Sequence, residues 1–194
     1  SGAIKRVPQR NCKIKVGTAE RPDSCRGGDY NLVHLSEVGL WKTTDGKKPE
    51  DLVRSACSGM VYRPYTMVVY ESTANGTGNF FQREYDAAKA GRSMFKALFI
   101  AWYDIDIYTL PFSSEDEKAD FAINLWENRN NHNVMSDREE SGAYLWKLWT
   151  YGATLEAIHW YVVERSGKNA HSVMASEYPS DDVEAFVNSG SRVF

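Results

Sequence analysis

The sequence predicts an α/β layer with a mostly parallel sheet, followed by a mainly helical region. Three observations predict it. Over roughly the first hundred residues, short apolar runs alternate with helical patterns, as strands joined by helices do. After Pro111, helix-start signals follow one another with no further strand pattern. The chain has 194 residues, 42% of them hydrophobic and 13% aromatic, which suffices for a packed core and argues against disorder.

The elements follow in order. Ile14 and Val16 alternate with Lys13 and Lys15, which predicts a strand over 13–17. A second strand is predicted over 31–35 (NLVHL) and a third over 66–70 (TMVVY). The third is apolar on both faces, as a strand buried between helix layers should be. A fourth is predicted over 95–102 (FKALFIAW). Between them, Pro49 at a first-turn position and Gly59 just beyond the end bracket a helix over 49–58. Asn79 introduces another over 80–90, with Gln82 as its capping-box partner and Gly91 as its stop.

Beyond Pro111, Ser114 and Glu117 form a capping box that opens a helix carrying Phe121 and Leu125 on one face. Ser136 and Glu139 form another, opening a helix with Tyr144 and Leu148 four apart. Thr154 caps a third, with Leu155, Ile158 and Val162 along its apolar stripe. Residues 129–133 (RNNHN) read as a loop. The predicted organisation is an α/β part over 1–110 and a helical appendage over 111–194.

Composition narrows the function. A net charge of −3 argues against an autonomous nucleic-acid binder, which needs a surplus of Lys and Arg on one face. Cys12, Cys25 and Cys57 form no CxxC pair and read as reduced thiols. No apolar run approaches the ~20 residues of a membrane span. The start of the chain has neither a signal-peptide core nor a methionine. His132, His159 and His171 set no ligand spacing with the cysteines, so no metal site is predicted. Trp126, Trp146, Trp149 and Trp160 lie at helical spacing beside Leu and Ile and are expected in the core. The acidic run Glu115, Asp116 and Glu117 suits a helix N-terminus.

Two segments could carry chemistry. In residues 32–37 (LVHLSE) an apolar strand ends in a polar residue and then Glu, the form of a Walker B element. There a carboxylate at the sheet edge polarises the water that attacks the γ-phosphate. The same pattern also fits an ordinary solvated strand end. In residues 70–79 (YESTANGTGN) a strand runs into small polar residues and glycines before a helix. Open α/β sheets place their ligands at that end of a strand, though the same residues also suit a plain capped turn.

Residues 71–81 (ESTANGTGNFF), followed by 83–89 (REYDAAK), resemble the coupling motif and following helix of tailed-phage and prophage terminase large subunits. Upstream, 17–20 (GTAE), 26–28 (RGG) and 33–38 (VHLSEV) resemble that family's strand, Arg-Gly loop and Walker B element, in the same order. Downstream, 99–103 (FIAWY) resembles the strand closing the ATPase sheet. Residues 176–186 (SEYPSDDVEAF) and 189–194 (SGSRVF) resemble the stretch leading towards the nuclease. The similarity spans nearly the whole chain, with 116–133 its least characteristic part.

The resemblance implies a partial P-loop-NTPase-like sheet over 1–110, the later half of a DNA-packaging ATPase, and a linker over 111–194. It implies ATP and Mg²⁺ as cofactors and Glu37 as the catalytic carboxylate of hydrolysis. Ser36 stands where the family often has Asp holding the Mg²⁺ shell through water. Ser72, Thr73, Ala74, Asn75 and Gly76 would form the coupling element that senses the γ-phosphate. Arg26 would contact nucleotide or a neighbouring subunit, or serve as a structural loop arginine. The implied partners are double-stranded DNA, the portal protein, the small terminase subunit and a ring of identical copies, in the host cytoplasm and away from membranes.

Two departures are large. No G-x-x-x-x-G-K-[ST] occurs, so a phosphate cradle is missing, and the chain ends at Phe194 before any nuclease carboxylate cluster. With the absent methionine, this reads as a middle piece of a longer polypeptide that is inactive alone. Two rival readings stand beside it. One is a non-catalytic remnant that binds partner subunits. The other is an α/β hydrolase using Ser72, for which the G-x-S-x-G elbow is lacking.

Overall fold

The computed structural model describes residues 4–21, 28–44, 46, 48–60 and 63–188. The chain is mixed α/β and divides into two compact units, Ser1–Ser93 and Met94–Phe194. The sequence pattern itself changes later, after Pro111.

In the first unit, strands β1 (Ile4–Val7) and β2 (Cys12–Lys15) form an exposed antiparallel hairpin, with Ile4 opposite Lys15 and Val7 opposite Cys12. A 3₁₀ turn, Pro8–Arg10, joins them and ends on Asn11 in the left-handed region. The strand expected over 13–17 therefore exists, but it pairs with its own neighbour rather than joining a parallel layer. Pro8 and Asn11 supply the tight turn that makes local pairing the shortest route.

Strands β3 (Leu32–Leu35) and β4 (Met67–Tyr70) form a parallel pair, with Leu32 opposite Met67 and Leu35 opposite Tyr70. Parallel pairing needs a crossover, and α1 (Pro49–Cys57) lies within it. Val33 and Leu35 face inward, where they meet Val38, Phe80 and, from α1, Val53, Ala56 and Cys57. Leu32 and His34 face outward. The expectation that β4 is buried on both faces is corrected: Met67 is 57% exposed and the rest of the strand only half-buried. A two-stranded sheet has one covered face. Helix α2 (Phe80–Lys89) starts at Asn79, whose side chain accepts from Gln82 N–H.

The second unit is helical: α3 (Glu115–Glu127), α4 (Gly142–Thr150), α5 (Leu155–Ser166), α6 (His171–Glu177) and α7 (Asp182–Asn188). Ser114 and Thr154 cap α3 and α5 through their hydroxyls, as expected. Leu125, Leu148, Ala157, Ile158, Tyr161 and Met174 form the core.

Three expectations are corrected here. Residues 95–101 form no strand; Leu98 and Ile100 point outward while Trp102 turns in and stacks on Tyr161, with centroids 5.1 Å apart. Burying one large aromatic outweighs pairing a run that has no neighbouring strand. Ser136 and Glu139 form only a turn, and Ser141 caps α4 instead. The chain passes so close to the end of α3 that a Cβ on Gly142 would lie 2.3 Å from the Asn128 carbonyl oxygen, so this glycine sets where the helix begins. Trp126 and Trp149 are 54% and 43% exposed, whereas Trp146 and Trp160 pack on the core as expected. Arg129 covers the outer Trp126 ring, 3.8 Å from its centroid.

A polar network, buried at Glu140, Arg165 and Glu184 and half-buried at His171, ties the helices together. Glu140 Oε1 accepts from Arg165 Nε at 2.6 Å, and His171 Nδ1 lies 2.8 Å from the same oxygen. His171 Nε2 reaches Glu184 Oε1 at 3.0 Å. Glu184 also accepts from the Tyr144 hydroxyl at 2.9 Å and from Ser180 N–H at 2.5 Å. Among the described residues no buried side-chain polar atom lacks a partner. Full satisfaction is what makes such a network tolerable in a core.

Candidate functional site

The site is built from the carboxyl ends of β3 and β4. Because Leu35 pairs with Tyr70, Ser36 and Glu71 leave the sheet side by side. The backbone ladder extends past the strands: Glu71 N–H donates to Leu35 O at 3.0 Å, and Val38 N–H donates to Glu71 O at 3.2 Å. The two strand ends read in opposite order, Ser-Glu on one and Glu-Ser on the other. Each serine therefore faces the other strand's glutamate. Ser36 Oγ donates to Glu71 Oε1 at 2.5 Å, and His34 Nε2 lies 3.5 Å from that oxygen. Ser72 Oγ lies 3.4 Å from Glu37 Oε2.

Ser72 has one proton to give. Thr73 O, at 2.7 Å, is the nearer acceptor, and the Ser72 oxygen accepts from Gly39 N–H at 3.0 Å. Asn75 Nδ2 donates to Gly39 O at 3.1 Å, so its amide is engaged with protein rather than turned towards open space. Gly76 and Gly78 take positive φ, and Asn79 Nδ2 donates to the carbonyls of Asn75 and Gly76 before opening α2. Gln82 reaches back to Gly78 N–H at 2.5 Å, one residue short of the expected capping-box donor.

Glu37 has φ 56° and ψ 39°, left-handed values that are uncommon for a residue with a long side chain. A left-handed backbone costs such a residue about 1–2 kcal/mol, and costs of this kind collect where geometry serves a ligand. Ser36 and Glu37 are both exposed, and the Glu71 side chain is 45% exposed. Carboxylate and hydroxyl oxygens thus line one open sheet edge.

Ser36, Glu37, Ser72, Thr73, Ala74, Asn75 and Gly76 all lie at this edge, and the loop over 72–76 is tied to the turn after Glu37. Arg26 lies outside the described residues. Sequence reasoning assigned no role to Glu71 or Gly39. A Cβ on Gly39 would lie 2.8 Å from Ser72 Oγ and 3.0 Å from Thr73 O, so the two loops approach only because that residue is glycine. Among the described residues no group of three or more His, Cys, Asp or Glu side chains is arranged to hold a metal. No described helix is long and apolar enough to cross a membrane. No known family, curated protein or solved structure matches this chain.

Proposed function

We propose that the chain is part of a terminase large subunit, the ATP-hydrolysing motor that translocates viral DNA, and that its first unit supplies the hydrolytic carboxylate and the coupling loop. The observation that supports this best is the parallel, in-register β3–β4 pair, whose carboxyl ends bring Glu37 and the loop over 72–76 to one edge. On this reading the sheet is the remaining part of a P-loop-like ATPase. The phosphate loop comes from elsewhere in the parent polypeptide.

Glu37 is the base that orients and polarises the attacking water. Mg²⁺ binds through one or two carboxylates, waters and nucleotide phosphates, without a dedicated protein cage. Ser36, Glu37 and Glu71 offer only oxygen donors, which suits that ion. When bound with ATP it would neutralise charge developing on the phosphates. Ser72 and Asn75 connect the site to α2 and so to motion. DNA, the portal, the small subunit, a homo-oligomeric ring and the host cytoplasm belong to the same proposal.

The test is ATP turnover by the parent protein with Glu37→Gln. Loss of turnover with nucleotide binding retained supports the reading; substantial hydrolysis by the variant overturns it. The rival reading, an interaction module, rests on the missing phosphate-loop motif. It predicts no turnover even in the parent.

A further inference from the structure

We propose that the β1–β2 hairpin is a nucleic-acid contact, whose face carrying Arg6, Lys13 and Lys15 grips the phosphate backbone of a duplex. The stretch from Ile4 to Val16 contains Lys5, Arg6, Arg10, Lys13 and Lys15 and no acidic residue, although the whole chain has a net charge of −3. The acid excess therefore lies elsewhere, and the hairpin is a local positive feature in an otherwise acidic chain.

Register sharpens the point. Arg6 stands directly opposite Lys13, and Lys15 stands opposite Ile4 on the same face. Like charges directly opposed across two strands destabilise the pair. Among the described residues no carboxylate forms an ion pair with any of these cations. Folding alone gives no reason to place them so. A polyanion crossing this face would turn the repulsion into binding.

The shape selects the polyanion. A two-stranded β-ribbon fits the major groove of B-DNA, about 12 Å wide, with its cations within reach of both phosphate rims. The tip, Pro8–Arg10, adds Arg10 and carries no large apolar side chain that would wedge into a bilayer. Arg6, Lys13 and Lys15 also line the wide groove that runs from the hairpin to β3 and Ser36. The inference stands on the hairpin alone and does not depend on ATP hydrolysis.

The experiment is fluorescence anisotropy of the 194-residue chain with a labelled duplex of about 20 base pairs, between about 50 and 200 mM salt. The wild-type chain should show a falling line of log affinity against log salt. Arg6→Gln/Lys13→Gln/Lys15→Gln should flatten its slope by about 2.7, since each neutralised phosphate contributes about 0.9. Circular dichroism and thermal melting of that variant should match or exceed wild type, because an opposed like-charge pair is gone. Should it fail to fold, Arg6→Gln and Lys13→Gln singly should each lower the slope by about 0.9. A wild-type slope near zero, or one that the substitutions leave unchanged, overturns the proposal. So does binding to phosphatidylserine vesicles without binding to the duplex.

Discussion

The Ser36 hydroxyl donates to Glu71 Oε1 at 2.5 Å, which joins the end of β3 to the end of β4 through a hydroxyl and a carboxylate. A strand end that carried two adjacent carboxylates would present both charges from β3. Here one comes from Glu37, just beyond β3, and the other from Glu71, just beyond β4, with Ser36 held between the strand ends.

That arrangement predicts a charge swap. In the parent protein, Glu71→Gln should lower ATP turnover by about 10–100-fold, the usual cost of losing a group that orients a ligand-binding side chain. Adding Ser36→Asp to that variant should recover most of the loss, because the charge returns to the same edge from the other strand. Ser36→Asp alone should not help, since it sets two carboxylates within hydrogen-bonding distance of each other. Steady-state turnover and the Mg²⁺ dependence of ATP affinity measure both. If Ser36→Asp fails to rescue, the two strand ends are not interchangeable carriers of charge.

Glu37 predicts opposite effects on stability and activity. Its backbone is left-handed, and Asn tolerates that region better than Glu. Glu37→Asn should therefore raise the stability of the chain by up to about 1 kcal/mol in urea unfolding. The same substitution in the parent should reduce ATP turnover by about 10²–10⁴-fold, the range expected for loss of a general base. A drop in stability would show that the left-handed backbone is not strained.

Asn75 couples two loops through one bond, from its Nδ2 to Gly39 O at 3.1 Å. Asn75→Ala should cost about 0.5–1.5 kcal/mol of stability, a typical net value for one hydrogen bond. In the parent it should also lower the DNA length translocated per ATP hydrolysed, because the loop leading into α2 is no longer tied to the turn after Glu37. Unchanged translocation per ATP would leave Asn75 a purely structural residue.

How much of this could be read beforehand depended on the distance over which each feature is decided. The strands around Val33 and Val68 and the caps Asn79, Ser114 and Thr154 are local matters of apolar runs and short hydroxyl or amide arms, and these were legible. The run over 95–102 was not, because an apolar stretch looks the same whether it pairs or merely delivers Trp102 to a core. Ser136 and Ser141 compete as caps on equal chemical terms, and only the close passage of Gly142 by Asn128 decides between them. Ser36, Glu37 and the loop over 72–76 could be picked out because each follows a strand. Glu71 and Gly39 could not be assigned, since their contacts exist only once β3 and β4 are set in register. The network of Glu140, Arg165, His171 and Glu184 joins residues from separate helices and loops, and no local spacing announces it.

That network gives the last prediction, a pH dependence. His171 lies between two carboxylates, and its imidazole is held up at about 9, first by its hydrogen bond to Glu140 and then by that to Glu184. Burial works the other way and is outweighed. For Glu184, burial raises the carboxyl, but the bonds from His171, Ser180 and Tyr144 prevail and hold it below its ordinary value. A histidine whose folded pKa exceeds its unfolded value stabilises the fold fully below about 6.5, the ordinary value. The contribution is then lost as pH rises through about 9. Glu184 has the opposite sign: its contribution is present above its ordinary value of 4.5 and is lost as pH falls through its lower folded value. The second unit should therefore be most stable between these limits. The His171 side chain is 38% exposed, so solvent screening tempers the size of the effect but not its sign. Thermal melting of the chain from pH 6 to pH 10 should show the wild type losing its advantage over His171→Gln as pH rises through that window. NMR of the His171 ring protons should give a titration well above the ordinary histidine value. Parallel melting curves for the two proteins, or a ring that titrates near 6.5, would show that His171 is not held between the two carboxylates in solution.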